Sequence, residues 1–341
     1  MSPELLERLI AGIDLTQDQA FDLLTTMGQG NVDPAVAGAV LIALRIKGEA
    51  AQEVRGFALA MRELAKRPAL PPGDYVDIVG TGGDGSGSLN ISTGSALLAA
   101  AAGSKVVKHG NRSISSRSGS ADVLAALGLP MPLDEQAAVH CLEQTGFTFL
   151  FAPHYHPAMK HIAPVRQALG VRTVFNVLGP LVNPAEPPYH VIGAASETLA
   201  ELMAQALAEM PIERAFVIHG AAGWDEPTPI GPFVCFEAVA GKVSRELRDP
   251  QDCGIARCGE ADLAGGEPAE NAARLKAALL GQDTEPHRDA LIIGAALALE
   301  VTGAEASFQN AIARARRAID DGSAGRLLER IAAFASEAQG T

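Results

Sequence analysis

Between Val76 and Ser92 the chain reads VDIVGTGGDGSGSLNIS, an apolar run that gives way to five glycines in nine residues. Such a loop can present consecutive backbone N–H groups to an anion, with no need of a lysine. Thr81, Ser88, Asn90, Ser92 and Thr93 supply polar side chains along the same stretch. A flexible surface turn would share the glycines, but the strand YVDIV before them and a helix starting near Ile91 to Thr93 after them favour a phosphate cradle. The loop lacks the G-K-[ST] ending of a Walker sequence, and no acidic strand end follows to hold a ribose. Both familiar nucleotide readings are therefore weak.

A second polar cluster lies in KVVKHGNRSISSRSGSADVLAALG, where Lys108, His109, Asn111, Arg112 and several serines separate a strand from a helix capped near Ser118 to Ser120. Strand ends of a parallel sheet gather on one side, so this cluster should face the glycine loop and share its ligand. Lys108 is a solvated surface charge or, at a strand end, a ligand contact. His109 is a proton acceptor or a hydrogen-bonded structural histidine. Asp225 and Glu226 follow a strand end at Gly220 and read as a metal pair or as an exposed acidic turn before Pro227. Arg166, in HPAMKHIAPVRQALG, is by itself a surface helix arginine. His154 and His156 have no third ligand and read as loop and cap residues.

These residues need a frame. Before Pro72 the chain reads as short amphipathic helices: Thr16 with Gln19 resembles a capping box, and Asp33-Pro34 an N-cap followed by an N1 proline. Gly28 and Gly30 mark the stop between them. From Tyr75 short apolar runs (YVDIV, SKVVKH, FTFLFA, HVIGAA, RAFVIHG) alternate with amphipathic stretches of ten or more residues. That rhythm predicts a largely parallel sheet covered by helices. FVCFEAV and KVSREL flank a small turn and predict a hairpin, and the tail from Glu267 is helical with breaks at Gly281 and Gly303. Pro157 and Pro164 each read as helix-opening residues, with Gly170 as a stop.

With 48% hydrophobic residues among 341, the chain can fill a sizeable core. A net charge of -13 repels nucleic acid, no apolar run is long enough to span a bilayer, and the acid-bearing N-terminus does not read as a secretory signal. The expectation is a cytoplasmic protein without nucleic-acid or membrane partners. Cys141, Cys235, Cys253 and Cys258 show no paired spacing and read as free thiols.

GTGGDG, N-I-S-T, KHGNRS-x-SS and SGSADVLxALG together resemble the anthranilate phosphoribosyltransferases, enzymes of tryptophan biosynthesis. The likeness runs on through LRIKGE, FAPHYHPAMKHIAPVRQALGVRTVFNVLGPLVNP, HGAAGWDE, GEPAENAARLKAALLG and HRDALIIGAALAL. It implies transfer of the phosphoribosyl group of 5-phosphoribosyl 1-pyrophosphate to the amine of anthranilate. By the family's pattern, Gly80, Gly83, Asp84, Ser88, Asn90, Ile91, Ser92, Thr93, Lys108, His109, Gly110, Asn111, Arg112, Ser113, Ile114, Ser115, Ser116 and Ser120 hold the phosphoribosyl donor. Gly80, Asn111 and Arg166 contact anthranilate, and Ser92, Asp225 and Glu226 hold Mg2+, two ions in all. His109 is the one candidate for proton transfer, and no residue is assigned as catalytic.

The resemblance also implies an α/β fold with a small helical N-terminal domain (1–72, with roughly 165–186 packed onto it). The large domain (73–164 and 187–341) has a mostly parallel central sheet flanked by helices, and the helical domain forms a homodimer. This chain departs from the family at Ser88-Leu89, where Thr-Phe is usual, and at Ala222-Gly223-Trp224-Asp225-Glu226-Pro227, where D-G-x-D-E-L is usual. A related aromatic amine as acceptor, a pyrimidine nucleoside phosphorylase and a non-catalytic nucleic-acid-binding relative are the rival readings. The Asp225-Glu226 pair with Arg166 argues against the second, and the charge of -13 against the third.

Overall fold

A computed structural model describes residues 3–112 and 117–339. Four helices open the chain: α1 (Pro3–Ile10), α2 (Gln17–Gly28), α3 (Pro34–Lys47) and α4 (Ala51–Glu63). The Thr16 hydroxyl accepts from the Gln19 N–H at 3.2 Å while the Gln19 side chain accepts from the Thr16 N–H at 3.0 Å, satisfying two donors that the start of α2 would leave orphaned. Asp33 caps α3 through the Ala35 N–H, 2.8 Å, with Pro34 behind it. The buried Glu53 carboxylate accepts from the N–H groups of Leu15 and Ala50 and from the Lys47 ammonium, each at 2.8 Å, which locks α4 against its neighbours.

The sheet has seven strands. They are β1 (Tyr75–Gly80), β2 (Lys105–Gly110), β3 (Phe147–Phe151), β4 (Tyr189–Gly193), β5 (Arg214–His219), β6 (Phe233–Val239) and β7 (Lys242–Arg248), in the order β3-β2-β1-β4-β5-β6-β7. The first five are parallel, whereas β6 and β7 pair antiparallel as the hairpin that the sequence predicts. α5 (Ile91–Ala101) crosses from β1 to β2, and α6 (Ser120–Ala126) and α7 (Glu135–Thr145) cross from β2 to β3. Chain progression therefore runs outward from β1 through β2 to β3, and on the other side from β4 to β5. β1 and β4 flank the topological switch point, where open parallel sheets leave a crevice beyond their carboxyl ends.

Both faces are covered. α5 and the C-terminal helices, chiefly Glu285–Val301, bury Val76, Ile78, Phe216 and Ile218. The opposite core joins α1–α4 to Ile162, Val165, Phe175, Leu178 and Leu181, to the helix Glu197–Ala208, and to Ile192, Val217 and Phe236 of the sheet. The segment bearing Arg166 thus shares a core with the N-terminal helices. Its helix runs Met159–Leu169 and stops at the left-handed Gly170, φ 63°. Pro157 precedes that helix, but Pro164 does not open one as its residue type suggests; it lies inside, giving up the N–H that would have bonded the Lys160 carbonyl. All four cysteines are unpaired, and no helix among the described residues is long and apolar enough to cross a membrane.

α2 and α4 cross closely at Gly56, where a Cβ would lie 2.3 Å from the Gln17 carbonyl oxygen. Gly56→Ala should destabilise the protein by about 1–3 kcal/mol through overpacking against fixed backbone, read from denaturant unfolding; an unchanged midpoint would show the contact to be loose.

Candidate active site

The two strands of the switch point both end in glycine, Gly80 paired with Gly193, and Gly220 follows β5. Across these ends lies the turn Trp224–Glu226. A Cβ on Gly193 would stand 1.6 Å from the Asp225 carbonyl oxygen, one on Gly220 2.0 Å from that of Glu226, and one on Gly80 2.4 Å from Asp225 Oδ2. Glycine at these ends is the condition for the acidic turn to sit on the sheet. Trp224 anchors it by burying its ring in the core.

The turn reaches back to the glycine loop. Asp225 Oδ2 accepts from the Gly82 N–H at 2.6 Å, and Glu226 Oε1 from the Ser92 N–H at 3.0 Å, which places a carboxylate on the N-terminus of α5. Asp84 Oδ2 in turn accepts from the Asp225 N–H at 3.3 Å. The pair is not an exposed acidic turn: Asp225 is buried and Glu226 half-buried. Burial and then the nearby Asp84 push Asp225 up to about 7, and burial and then Asp225 push Glu226 up to about 8. Pro227 leaves both carboxylates directed at the loop.

Within the loop Gly82 and Gly83 take φ of 66° and 75°, a backbone turn closed to most side chains. The N–H groups of Gly83, Asp84, Gly85 and Gly87 have no hydrogen-bond partner among the described residues. Four spare donors between a strand and a helix form a nest for an anion. The far end of the loop is fastened by a segment the sequence reading passed over: Leu89 N–H donates to the Leu263 carbonyl, 3.0 Å, and Gly265 N–H to that of Gly87, 2.9 Å. The pair Gly265-Gly266 was its only signal, since a Cβ at Gly265 would strike the Ser88 carbonyl at 2.4 Å.

The other residues singled out in the sequence fall into two groups. Ser92 and Ser88 lie beside the acids and in the loop, and no partner among the described residues engages the Ser92 hydroxyl. Gly110 ends β2, and Asn111, Arg112 and Ser120 cluster beyond it, where the Ser120 hydroxyl donates to the Asn111 carbonyl at 3.2 Å and Arg112 stands 3.9 Å from Asp122. Others turn inward. The Asn90 side chain donates one N–H to the Ser118 carbonyl at 3.0 Å and accepts from Asn271 at 2.8 Å. Ile91 and Thr93 are buried in the first turn of α5. Ser113, Ile114, Ser115 and Ser116 lie outside the described residues.

Lys108 is no surface charge. Its ammonium is buried and donates to the Ile78 carbonyl; burial lowers its pKa, opposed by Asp77, Glu226 and Asp225. Asp77 sits under the same strands, pushed up to about 6 by burial against the opposing charge of Lys108 and a 2.8 Å bond from Asn183. Asp77 and Asn183 are the buried floor that the sequence reading missed, because a single acid in an apolar strand carries no motif.

His109 is buried as well. Its Nδ1 lies 3.2 Å from the Gly179 carbonyl, which can only accept, so the proton sits on Nδ1. Burial and then His156 hold it well below the ordinary histidine range, leaving Nε2 a neutral acceptor. His156 caps a short helix and packs edge-on against that ring, centroids 5.1 Å apart. Arg166 is half-buried, its guanidinium over the Phe175 ring at 5.2 Å, and no carboxylate pairs with it among the described residues. Burial lowers its pKa. Phe175 leads through its helix to Gly179 and so to His109, which links Arg166 to the strand ends.

A helical bundle on a parallel sheet, with an anion nest and an acidic turn at the switch point, defines an enzyme handling a phosphorylated glycosyl donor. In agreement, the model described as "Glycosyl transferase family, a/b domain" matches residues 72–325, and that described as "Glycosyl transferase family, helical bundle domain" matches residues 3–65. The anthranilate phosphoribosyltransferase of Methylobacterium nodulans is 46% identical over 331 residues, 97% of this chain and 98% of its own. The crystal structure of that enzyme from Thermus thermophilus superposes with a TM-score of 0.92 at 41% identity, over 97% of this chain and 99% of that one. The Saccharomyces cerevisiae enzyme in complex with PRPP and Mg gives 0.89 at 28% identity, over 98% and 97%. The chain belongs to the anthranilate phosphoribosyltransferase family.

Gly193→Ala tests the geometry of the turn. A methyl group 1.6 Å from the Asp225 carbonyl must displace the acids, and turnover should fall by about a hundredfold or more while circular dichroism stays native. Wild-type turnover would mean that the acids need not rest on the strand ends.

Proposed function

We propose that the protein transfers the phosphoribosyl group of 5-phosphoribosyl 1-pyrophosphate to the amine of anthranilate, giving N-(5-phosphoribosyl)anthranilate and pyrophosphate in tryptophan biosynthesis. The observation that carries this reading is the set of N–H groups at Gly83, Asp84, Gly85 and Gly87, unpartnered among the described residues, in a loop whose Gly82 N–H holds Asp225 while Glu226 sits on the start of α5. The anion nest suits a diphosphate, and the carboxylates suit the cation that a diphosphate brings. The family relatives support it by name.

The donor set fits Mg2+. Asp225 and Glu226 each accept from a backbone N–H, and the Ser92 hydroxyl has no partner among the described residues. Among the described residues no three His, Cys, Asp or Glu form a ready-made cage. Asp225, Glu226 and Ser92 would therefore hold Mg2+, two ions in this reading, together with substrate oxygens and water, as this cation prefers. Once bound, it would neutralise charge growing on the pyrophosphate leaving group.

The chain's own residues supply the rest. Loop N–H groups stabilise the departing pyrophosphate as the ribose acquires oxocarbenium character. Arg166 and Asn111 orient anthranilate, the guanidinium gripping its carboxylate in a planar fork. The aromatic amine is neutral at pH 7, so no strong base is required, and His109 Nε2 is a weak acceptor beside the site. Residues 1–72 with roughly 165–186 make the helical domain and 73–164 with 187–341 the donor-binding domain. The exposed Ile10, Ile13 and Ile46 of the helical layer suit a homodimer, and a cytoplasmic location suits the free thiols.

The decisive experiment follows loss of anthranilate fluorescence with 5-phosphoribosyl 1-pyrophosphate and Mg2+; no turnover overturns the assignment. Asp225→Asn with Glu226→Gln should cut turnover by about a hundredfold or more and abolish stabilisation of the fold by Mg2+ with pyrophosphate, read as thermal midpoint. Retained stabilisation would remove both carboxylates from the metal site. Arg166→Ala should raise the anthranilate KM by about tenfold and leave that of the donor unchanged, and an equal rise in both would disprove its role as acceptor clamp.

A further inference from the structure

Arg172 lies two residues beyond the Gly170 stop of the Arg166 helix, in a segment of the family likeness, and the sequence assigns it no role. Its Nη1 donates to the Gly83 carbonyl at 3.3 Å, and a Cβ on Gly83 would stand 2.2 Å from that nitrogen. The guanidinium therefore rests against the nest at Gly83, whose φ of 75° favours glycine. The Arg172 carbonyl accepts from Arg45 of α3 at 2.6 Å, so the residue is fixed to the helical layer by its backbone and to the loop by its side chain. It is exposed, and no carboxylate pairs with it among the described residues.

The surroundings give this cation a task. Asp84, Asp225 and Glu226 lie together at the loop, and the one lysine near them, Lys108, is buried with its ammonium on the Ile78 carbonyl. A diphosphate entering the nest brings further negative charge, which a guanidinium on the loop would help to balance beside the Mg2+ that the acids would hold. Arg172 is the guanidinium in hydrogen-bond contact with the loop. With one of its five donors used, it retains a fork able to take two oxygens of one phosphate.

We propose that Arg172 is a positioning residue for the donor: it holds the glycine loop against the helical layer and binds the diphosphate of the phosphorylated ribose. This rests on the function proposed above. Arg166 and Arg172 then emerge on either side of one glycine stop and divide the substrates, the first taking the acceptor's carboxylate and the second the donor's diphosphate.

The test uses the full-length protein with Arg172→Gln and Arg172→Lys. Steady-state kinetics should show the donor KM raised by about tenfold or more in the glutamine variant, an intermediate rise in the lysine variant, and the anthranilate KM unchanged in both. Calorimetry with inorganic pyrophosphate and Mg2+ should show a matching loss of affinity, with thermal midpoints of the free proteins equal to wild type. An unchanged donor KM and pyrophosphate affinity in Arg172→Gln overturns the proposal, as does a rise confined to anthranilate. The calorimetric arm needs no turnover, so it judges Arg172 even if the wild type proves inactive on anthranilate; should the glutamine variant lose stability, the charge-retaining lysine variant decides by the same measurements.

Discussion

The site depends on two carboxylates held against a backbone. Asp225 and Glu226 lie across the ends of three strands and accept from the Gly82 and Ser92 N–H groups, so one short turn ties the sheet, the glycine loop and the start of α5 together. Carboxylates so crowded and buried have raised pKa values because nothing nearby fully offsets their charge. Lys108 supplies part of that balance from below, with Asp77 and Asn183 holding the layer beneath it. Glycine at Gly80, Gly193 and Gly220 follows from the same contact.

The helical layer enters the site through one segment. The Arg166 helix packs in the core shared with α1–α4, ends at Gly170, and hands the chain to Arg172 at the loop and to Gly179 at His109. Motion of the helical layer against the sheet would move both arginines together relative to the carboxylates. Loop, acids and arginines therefore meet at one site although they come from three separate stretches of chain.

The departures from the family pattern are absorbed locally. Leu89 fills a buried position in the main core, and the loop's hydroxyl survives at Ser88. Ala222 adopts a left-handed backbone, φ 60° and ψ 14°, a conformation costing roughly 1–2 kcal/mol in a non-glycine residue. The buried Trp224 and the clasped carboxylates that follow hold it there.

Much was legible in the residues alone. Alternating apolar runs announced a parallel sheet, the Thr16-Gln19 and Asp33-Pro34 signals located helix starts to the residue, and the glycine loop declared an anion nest. These are local matters, decided by backbone sterics and hydrogen bonds within a few positions. The tertiary structure decided which partners the side chains meet. Lys108 is buried with its ammonium on the Ile78 carbonyl, Asn90 bonds both Asn271 and Ser118, Pro164 sits within a helix, and Arg172, given no role from the sequence, donates to the nest. Residue type and spacing report what a side chain can do, but its direction depends on contacts between segments such as Gly83 and Arg172 or Asn90 and Asn271, 89 and 181 positions apart, which only the folded chain brings together.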